Sequence, residues 1–261
     1  MIVTNEHGAW VILFVPILSA IIISGEFNLI ALLFLAAALS WFMAYKPVEM
    51  LINAYLRNGK AGLLKQQDAI YWLPRFSFIA TVFSIFLIYL SGVWLLIPAG
   101  LVVVTIFLFM KLVMTSTGYS PLRNFTGTLL LTSGGFLADL SFHGTFTEKG
   151  ITASVMNLLF FTISSSFADL KMRELREDEG RILHARLIMP FFIFLTLAVA
   201  GFLALSGYIL VLWLLPGFLP LFIHFAADRL GWVRGRSFKQ LGLTLMLYSI
   251  LFLVTLPYAI R

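Results

Sequence analysis

Acids and bases crowd together in one stretch, Asp169-Leu170-Lys171-Met172-Arg173-Glu174-Leu175-Arg176-Glu177-Asp178-Glu179-Gly180-Arg181. Asp169 and Arg173 stand four residues apart, as do Glu174 and Asp178, and Glu177 and Arg181. Residues i and i+4 share a helix face, so the spacing predicts a mixed stripe of carboxylates and cations. Carboxylate oxygens suit a hard cation such as Mg²⁺, which keeps coordination positions for a substrate phosphate. Arginines beside them meet the same phosphate oxygens through paired donors. The same pattern also describes a solvated helix laced with ion pairs, each contributing about 0.3–0.5 kcal/mol.

Other polar residues stand apart from this run. Asp139 and His143 fall near the end of an apolar stretch, where an ionisable group is either functional or wetted by the nearby surface. His224 and Asp228, again four apart, read as a proton-handling pair or as ordinary polar residues closing a helix. Asn157 sits mid-helix, where an interhelical hydrogen bond would account for it. His7 would meet a phosphate or lie among lipid headgroups, and Trp10 beside it reads as an interfacial anchor. The chain has no cysteine, which removes disulfides, cysteine zinc sites and thiol nucleophiles. No nucleophile-and-base pair and no nucleic-acid-binding motif is visible.

These groups must be positioned by membrane helices. The chain is 61% hydrophobic and only 11% charged, a balance with too few charges to cover a soluble fold. A span needs about 20 mostly apolar residues, and that length predicts helices at about 8–25, 28–45, 71–92, 94–116, 124–142, 151–168, 184–205, 207–227 and 239–258. Ser91-Gly92 and Ser206-Gly207 divide two overlong apolar runs. One transmembrane helical domain over 1–261 is the simplest organisation. Asn5, Glu6 and His7 precede the first span without a basic region, so no cleavable signal peptide is expected.

Of the 18 Lys and Arg residues, all but Lys149 and Arg261 fall on the side of the N-terminus when nine spans are threaded. Basic loops stay on the cytoplasmic side, which predicts an N-terminus inside and a C-terminus outside. Two loops on that side are long. The first, about 46–70, reads as an interfacial amphipathic helix starting at Lys46-Pro47 and broken at Gly59–Gly62. The second, about 169–186, reads as a charged helix running on from the sixth span to Gly180. The cluster from Arg229 to Lys239 would hold its loop inside and touch anionic lipid.

Read together, these features resemble the UbiA superfamily of membrane prenyltransferases, an all-α bundle of nine transmembrane helices with polar loops after helices two and six. Arg173-Glu174-Leu175-Arg176-Glu177-Asp178-Glu179-Gly180-Arg181 is similar to the second Asp-rich motif of that family, KDxxDxEGD. Tyr119-Ser120-Pro121-Leu122-Arg123-Asn124-Phe125-Thr126, followed by Gly134-Gly135, resembles its segment entering helix five. Gly8 and Pro16 also fit its spacing. The first motif, NxxxDxxxD, aligns with Tyr45, Glu49 and Asn53, leaving one carboxylate, and Arg181 stands where the second motif ends in an acid. The opening Glu6-His7-Gly8-Ala9-Trp10 with Pro16 resembles the YwiC-like bacterial membrane proteins more closely, which implies a multi-pass protein of a bacterial plasma membrane.

The resemblance implies an enzyme that binds an isoprenoid diphosphate with Mg²⁺ at its cytoplasmic face and transfers the prenyl group to a small lipophilic acceptor. Glu49, Glu174, Glu177, Asp178 and Asp169 would hold metal. Arg57, Lys60, Arg123, Lys171, Arg173, Arg181, Tyr45 and Asn53 would hold the diphosphate. With fewer acids than the family pattern, the site would bind one metal, let cations such as Arg57, Lys60 and Arg123 replace part of its charge, or lose transfer altogether. The 26 Phe would line a prenyl pocket or serve as lipid-facing and packing surface. A non-catalytic isoprenoid- or lipid-binding protein on the same scaffold is the rival reading. A small-solute transporter is a third, disfavoured by an almost wholly apolar midplane.

Overall fold

A hydrocarbon environment offers no partner to a backbone N–H or C=O, so a chain this apolar closes its hydrogen bonds within helices. The computed structural model describes residues 7–117, 120–175, 179–230 and 238–261, with side chains apart from those of 7, 57–58, 107–117, 120–124, 175, 179–188 and 238–239. The described residues form nine helices: α1 (His7–Ser24), α2 (Leu29–Leu64), α3 (Gln67–Ser91), α4 (Leu96–Thr117), α5 (Ser120–His143), α6 (Glu148–Leu175), α7 (Glu179–Leu205), α8 (Val211–Arg229) and α9 (Phe238–Ala259). Five of them contain segments long and apolar enough to cross a bilayer: Leu29–Leu56, Gln67–Ser91, Glu148–Glu174, Val211–Arg229 and Gln240–Ala259. Gly8–Ser24, Leu96–Ile106 and Met189–Leu205 are shorter apolar helices. By these lengths and hydropathies the chain is a multi-pass membrane protein.

Several buried hydroxyls follow the same rule as the backbone, Thr162 being an exception. Ser19 donates to the Val15 carbonyl, Thr132 to Thr128, Ser164 to Phe160 and Thr196 to Phe192, each on its own helix. Such back-bonding lets a polar side chain sit inside a membrane protein without an unmet donor. The expected joints are real: Gly92 and Gly207 take left-handed conformations (φ 67° and 82°) at the ends of α3 and α7. Gly tolerates that region at no steric cost, which is why the chain turns there.

One expectation needs correcting, and a second falls partly outside the described residues. The amphipathic segment from Lys46 is no separate helix. Helix α2 continues straight through Pro47, and the break falls at Gly59 (φ 58°, ψ −146°), dividing α2 into two helical segments. The loss of one N–H at a proline interrupts only a local turn, which membrane helices commonly accommodate. The charged helix expected to run from the sixth span to Gly180 crosses residues 176–178, which lie outside the described residues. Helix α6 is described to Leu175, and Gly180 belongs to the first turn of α7.

Helix α6 is the most enclosed span, packing against α1, α5, α7, α8 and α9. One core joins α1 and α6 to α7–α9, with Phe160 stacked on Phe252 at 4.3 Å between centroids and Phe218 edge-on to both. A second core joins α1, α2 and α5 with Leu87 of α3. Gly135 sits where three helices cross, since a Cβ there would lie 3.2 Å from both the Pro16 carbonyl oxygen and the Ser154 hydroxyl. Helices α2 and α3 pack mainly on each other, fastened by Trp41 Nε1 donating to Ser84 Oγ at 3.1 Å. After α9 the backbone pairs with the α7–α8 connection, Leu210 N–H to Ala259 O and Arg261 N–H to Tyr208 O.

Candidate functional site

The last two turns of α6 carry Asp169, Lys171, Arg173 and Glu174. Asp169 and Arg173, four apart, close on each other through Nε and Oδ2 at 2.7 Å. Both are buried, 8% and 7% exposed, so the pair is shielded from solvent. Lys171 lies on another side of the helix and meets two carboxylates. Its ammonium donates to Glu174 Oε2 at 2.7 Å, one turn on, and contacts Asp228 Oδ1 at the end of α8. The Asp228 side chain is only 6% exposed, so the ammonium offsets the cost of burying its carboxylate.

One turn deeper, His224 of α8 shares a hydrogen bond with the Tyr248 hydroxyl of α9 at 3.1 Å and lies edge-on to Phe167 of α6. His224 and Asp228 therefore take separate partners on different helices and do not pair with each other. Sequence reasoning missed Asp228 as the partner of Lys171. The signal available was only its i+4 spacing to His224, which placed both on one face of α8 without saying what that face meets.

The other expected residues are elsewhere. Glu49 forms an ion pair with Lys46 at 3.1 Å on α2, and Tyr45 and Asn53 are half-buried on the same helix. Lys60 is exposed just beyond the Gly59 break. Helix α2 packs against α3 and α5, and α6 is not among its principal neighbours. The side chains of Arg57, Arg123 and Arg181, and residues Glu177 and Asp178 altogether, lie outside the described residues, as does the side chain of His7.

As receptors for Mg²⁺, the described acids expected to hold metal, and Asp228 beside them, are each engaged. Asp169 is held by Arg173, Glu49 by Lys46, and Glu174 and Asp228 by Lys171. Among the described residues no three acidic or histidine side chains converge as a metal site. The described charges at the ends of α6 and α8 balance: Asp169, Glu174 and Asp228 stand against Lys171, Arg173 and Arg229. A diphosphate would need an additional cation there, supplied by metal or by neighbouring arginines.

Asp139 proves neither wetted nor part of this cluster. It is 4% exposed and accepts two hydrogen bonds from Thr147, the N–H to Oδ2 and the hydroxyl to Oδ1, both at 2.8 Å. Thr147 Oγ1 accepts in turn from the Gly150 N–H at 2.9 Å, which caps the start of α6. His143 rests 3.2 Å from the Asp139 carboxylate. The group is a clasp for the α5–α6 turn. Asn157, fully buried, donates to the Ala153 carbonyl of its own helix, and its Oδ1 has no hydrogen-bond partner among the described residues. The expected interhelical bond is not there.

The family described as YwiC-like protein matches residues 3–139, just over half of the chain, ending before α6 and its ion cluster. No curated protein matches the chain. No solved structure matches it either.

Proposed function

We propose, from the premise that the chain belongs to the YwiC-like protein family, that it is a membrane protein binding an isoprenoid diphosphate at the ends of α6 and α8. In this reading nine helices span the bilayer with the N-terminus in the cytoplasm, in the manner of the UbiA-like prenyltransferases. The observation that supports it is the position of the ion cluster. Asp169, Lys171, Arg173, Glu174 and Asp228 sit at one end of the most enclosed apolar helix. A ligand with a charged head and a long apolar tail needs that combination.

The chain's own groups would act as follows. Lys171 and Arg173 offer donors to diphosphate oxygens, with Arg57, Arg123 and Arg181 as further cations. Tyr45 and Asn53 would add polar contacts from α2. Water exclusion by the surrounding apolar helices would shelter a developing carbocation while a lipophilic acceptor attacks. Mg²⁺, when bound, would neutralise the diphosphate leaving group; Glu174, Glu177 and Asp178, with Glu49 and Asp169, are the acids proposed for it.

A second reading, a non-catalytic isoprenoid- or lipid-binding protein, is favoured by one observation: each described acid proposed for metal is already matched to a cation of the chain. A thermal-shift titration with geranylgeranyl diphosphate, with and without Mg²⁺, tests both. A metal-dependent rise lost in Glu174→Ala supports the enzyme reading. A rise indifferent to metal supports simple binding. No rise with any prenyl diphosphate sinks both.

A further inference from the structure

The apolar part of α2, Leu29–Leu56, is already 28 residues long, more than a bilayer crossing requires. Beyond Leu56 the chain must leave the hydrocarbon. At Gly59 the backbone takes φ 58° and ψ −146°, and the chain turns through a short helical segment into α3. This elbow exposes apolar and aromatic side chains together: Tyr55 at 53%, Leu64 at 74% and Tyr71 at 53%. Interleaved with them are the exposed cations Lys60, Lys65 and Arg75, against Asp68 as the one carboxylate between residues 55 and 76.

Arg75 does not extend away from this surface. Its guanidinium turns back one helical turn and lies 3.3 Å from the centroid of the Tyr71 ring. Its Nη1 donates to the Tyr71 carbonyl at 2.5 Å, and a cation stacked on an aromatic face keeps its remaining edge donors available for an anion. Apolar side chains that would enter an acyl layer, flanked by cations that would stay among headgroups, match the two chemical layers of a membrane surface. The excess of positive charge selects the sign of the headgroup.

We infer that the elbow from Tyr55 to Arg75 is a binding surface for anionic phospholipid, with Lys60, Lys65 and Arg75 on the headgroup phosphates and Leu64 among the upper acyl carbons. This assigns Lys60 to lipid and does not rest on the isoprenoid reading. Each basic residue near such a surface adds about fivefold to anionic-lipid preference at low salt, an effect that salt screens.

Native mass spectrometry of the purified protein, offered equal phosphatidylglycerol and phosphatidylcholine, reads that preference directly. The wild type is expected to retain phosphatidylglycerol preferentially. The triple variant Lys60→Glu, Lys65→Glu, Arg75→Glu should lose the preference, while Lys149→Glu, in the first turn of α6 and far along the chain, should keep it. An unchanged preference in the triple variant would overturn the assignment. An equal loss in Lys149→Glu would also overturn it, because net charge and no particular surface would then govern. Loss of geranylgeranyl diphosphate binding in the triple variant, with lipid preference intact, would return Lys60 to the diphosphate site and overturn it as well.

Discussion

Asp139 and Thr147 are joined twice, the Thr147 N–H to one carboxylate oxygen and its hydroxyl to the other, each at 2.8 Å. The two bonds fix the turn from α5 to α6 and thereby the start of the most enclosed helix. Gly150 packs onto the same carboxylate so closely that a Cβ there would collide with the Asp139 carboxyl group. Gly150→Ala should therefore destabilise the protein by about 1–3 kcal/mol through overpacking. Asp139→Ala, which leaves the Thr147 N–H without its acceptor, should cost a similar amount, about 1–3 kcal/mol. Detergent unfolding midpoints check both; a Gly150→Ala protein as stable as wild type would refute the close approach.

The Asp169–Arg173 pair should behave as a buried ion pair. Removing only one charge leaves the other shielded and unmatched, a loss of about 3–5 kcal/mol. Arg173→Met should accordingly be much less stable than the double variant Asp169→Asn, Arg173→Met. A double-mutant cycle that finds no coupling would mean the pair is wetted.

Lys171 ties the end of α6 to the end of α8 through Asp228. Asp228→Asn should speed hydrogen exchange in the last turns of α8 and leave α3 unchanged. Lys171→Met should affect the same turns more strongly, because it abandons two carboxylates, Glu174 and Asp228, one of them nearly buried. Equal exchange in all three proteins would show that α8 is held by packing alone.

Ligand binding to the native state raises apparent stability by mass action, about 2.7 kcal/mol when ligand is at a hundred times its dissociation constant. Geranylgeranyl diphosphate should give such a rise in wild type and a smaller one in Arg173→Met. Chelation of Mg²⁺ should remove the rise if metal supplies the missing cation, and leave it intact if neighbouring arginines do.

The orientation can be read by labelling, since the chain has no native cysteine. With the N-terminus inside, a cysteine at Gln66 should be protected from an impermeant thiol reagent in intact cells. A cysteine at Phe146, in the α5–α6 connection, should react. The reverse pattern would overturn the charge-based topology.

Much of the helical layout was legible in the chain itself. Run length and the glycines at 92 and 207 were enough to separate α3 from α4 and α7 from α8, because hydrocarbon thickness sets length and only glycine turns freely with positive φ. The Gly59 break was legible for the same reason, whereas the continuity of α2 through Pro47 was not, because a proline is as consistent with a helix start as with an interrupted turn. Of the charged run, the i,i+4 match of Asp169 with Arg173 was visible from spacing alone.

Which helices meet, and with which face, was decided only by tertiary structure. In water the buried face of a helix announces itself as an apolar stripe. In lipid both faces are apolar, and packing between helices gains nothing from hydrophobicity that lipid contact does not already supply. Nothing in the residues around Lys171 or Asp228 could therefore reveal that α6 and α8 bring them together. The amino-acid sequence determined a membrane-embedded, all-helical chain with one crowded run of charge. The packing decided what its described part meets beyond its own helix, because the buried Asp228 carboxylate of α8 takes the cation that α6 presents, Lys171.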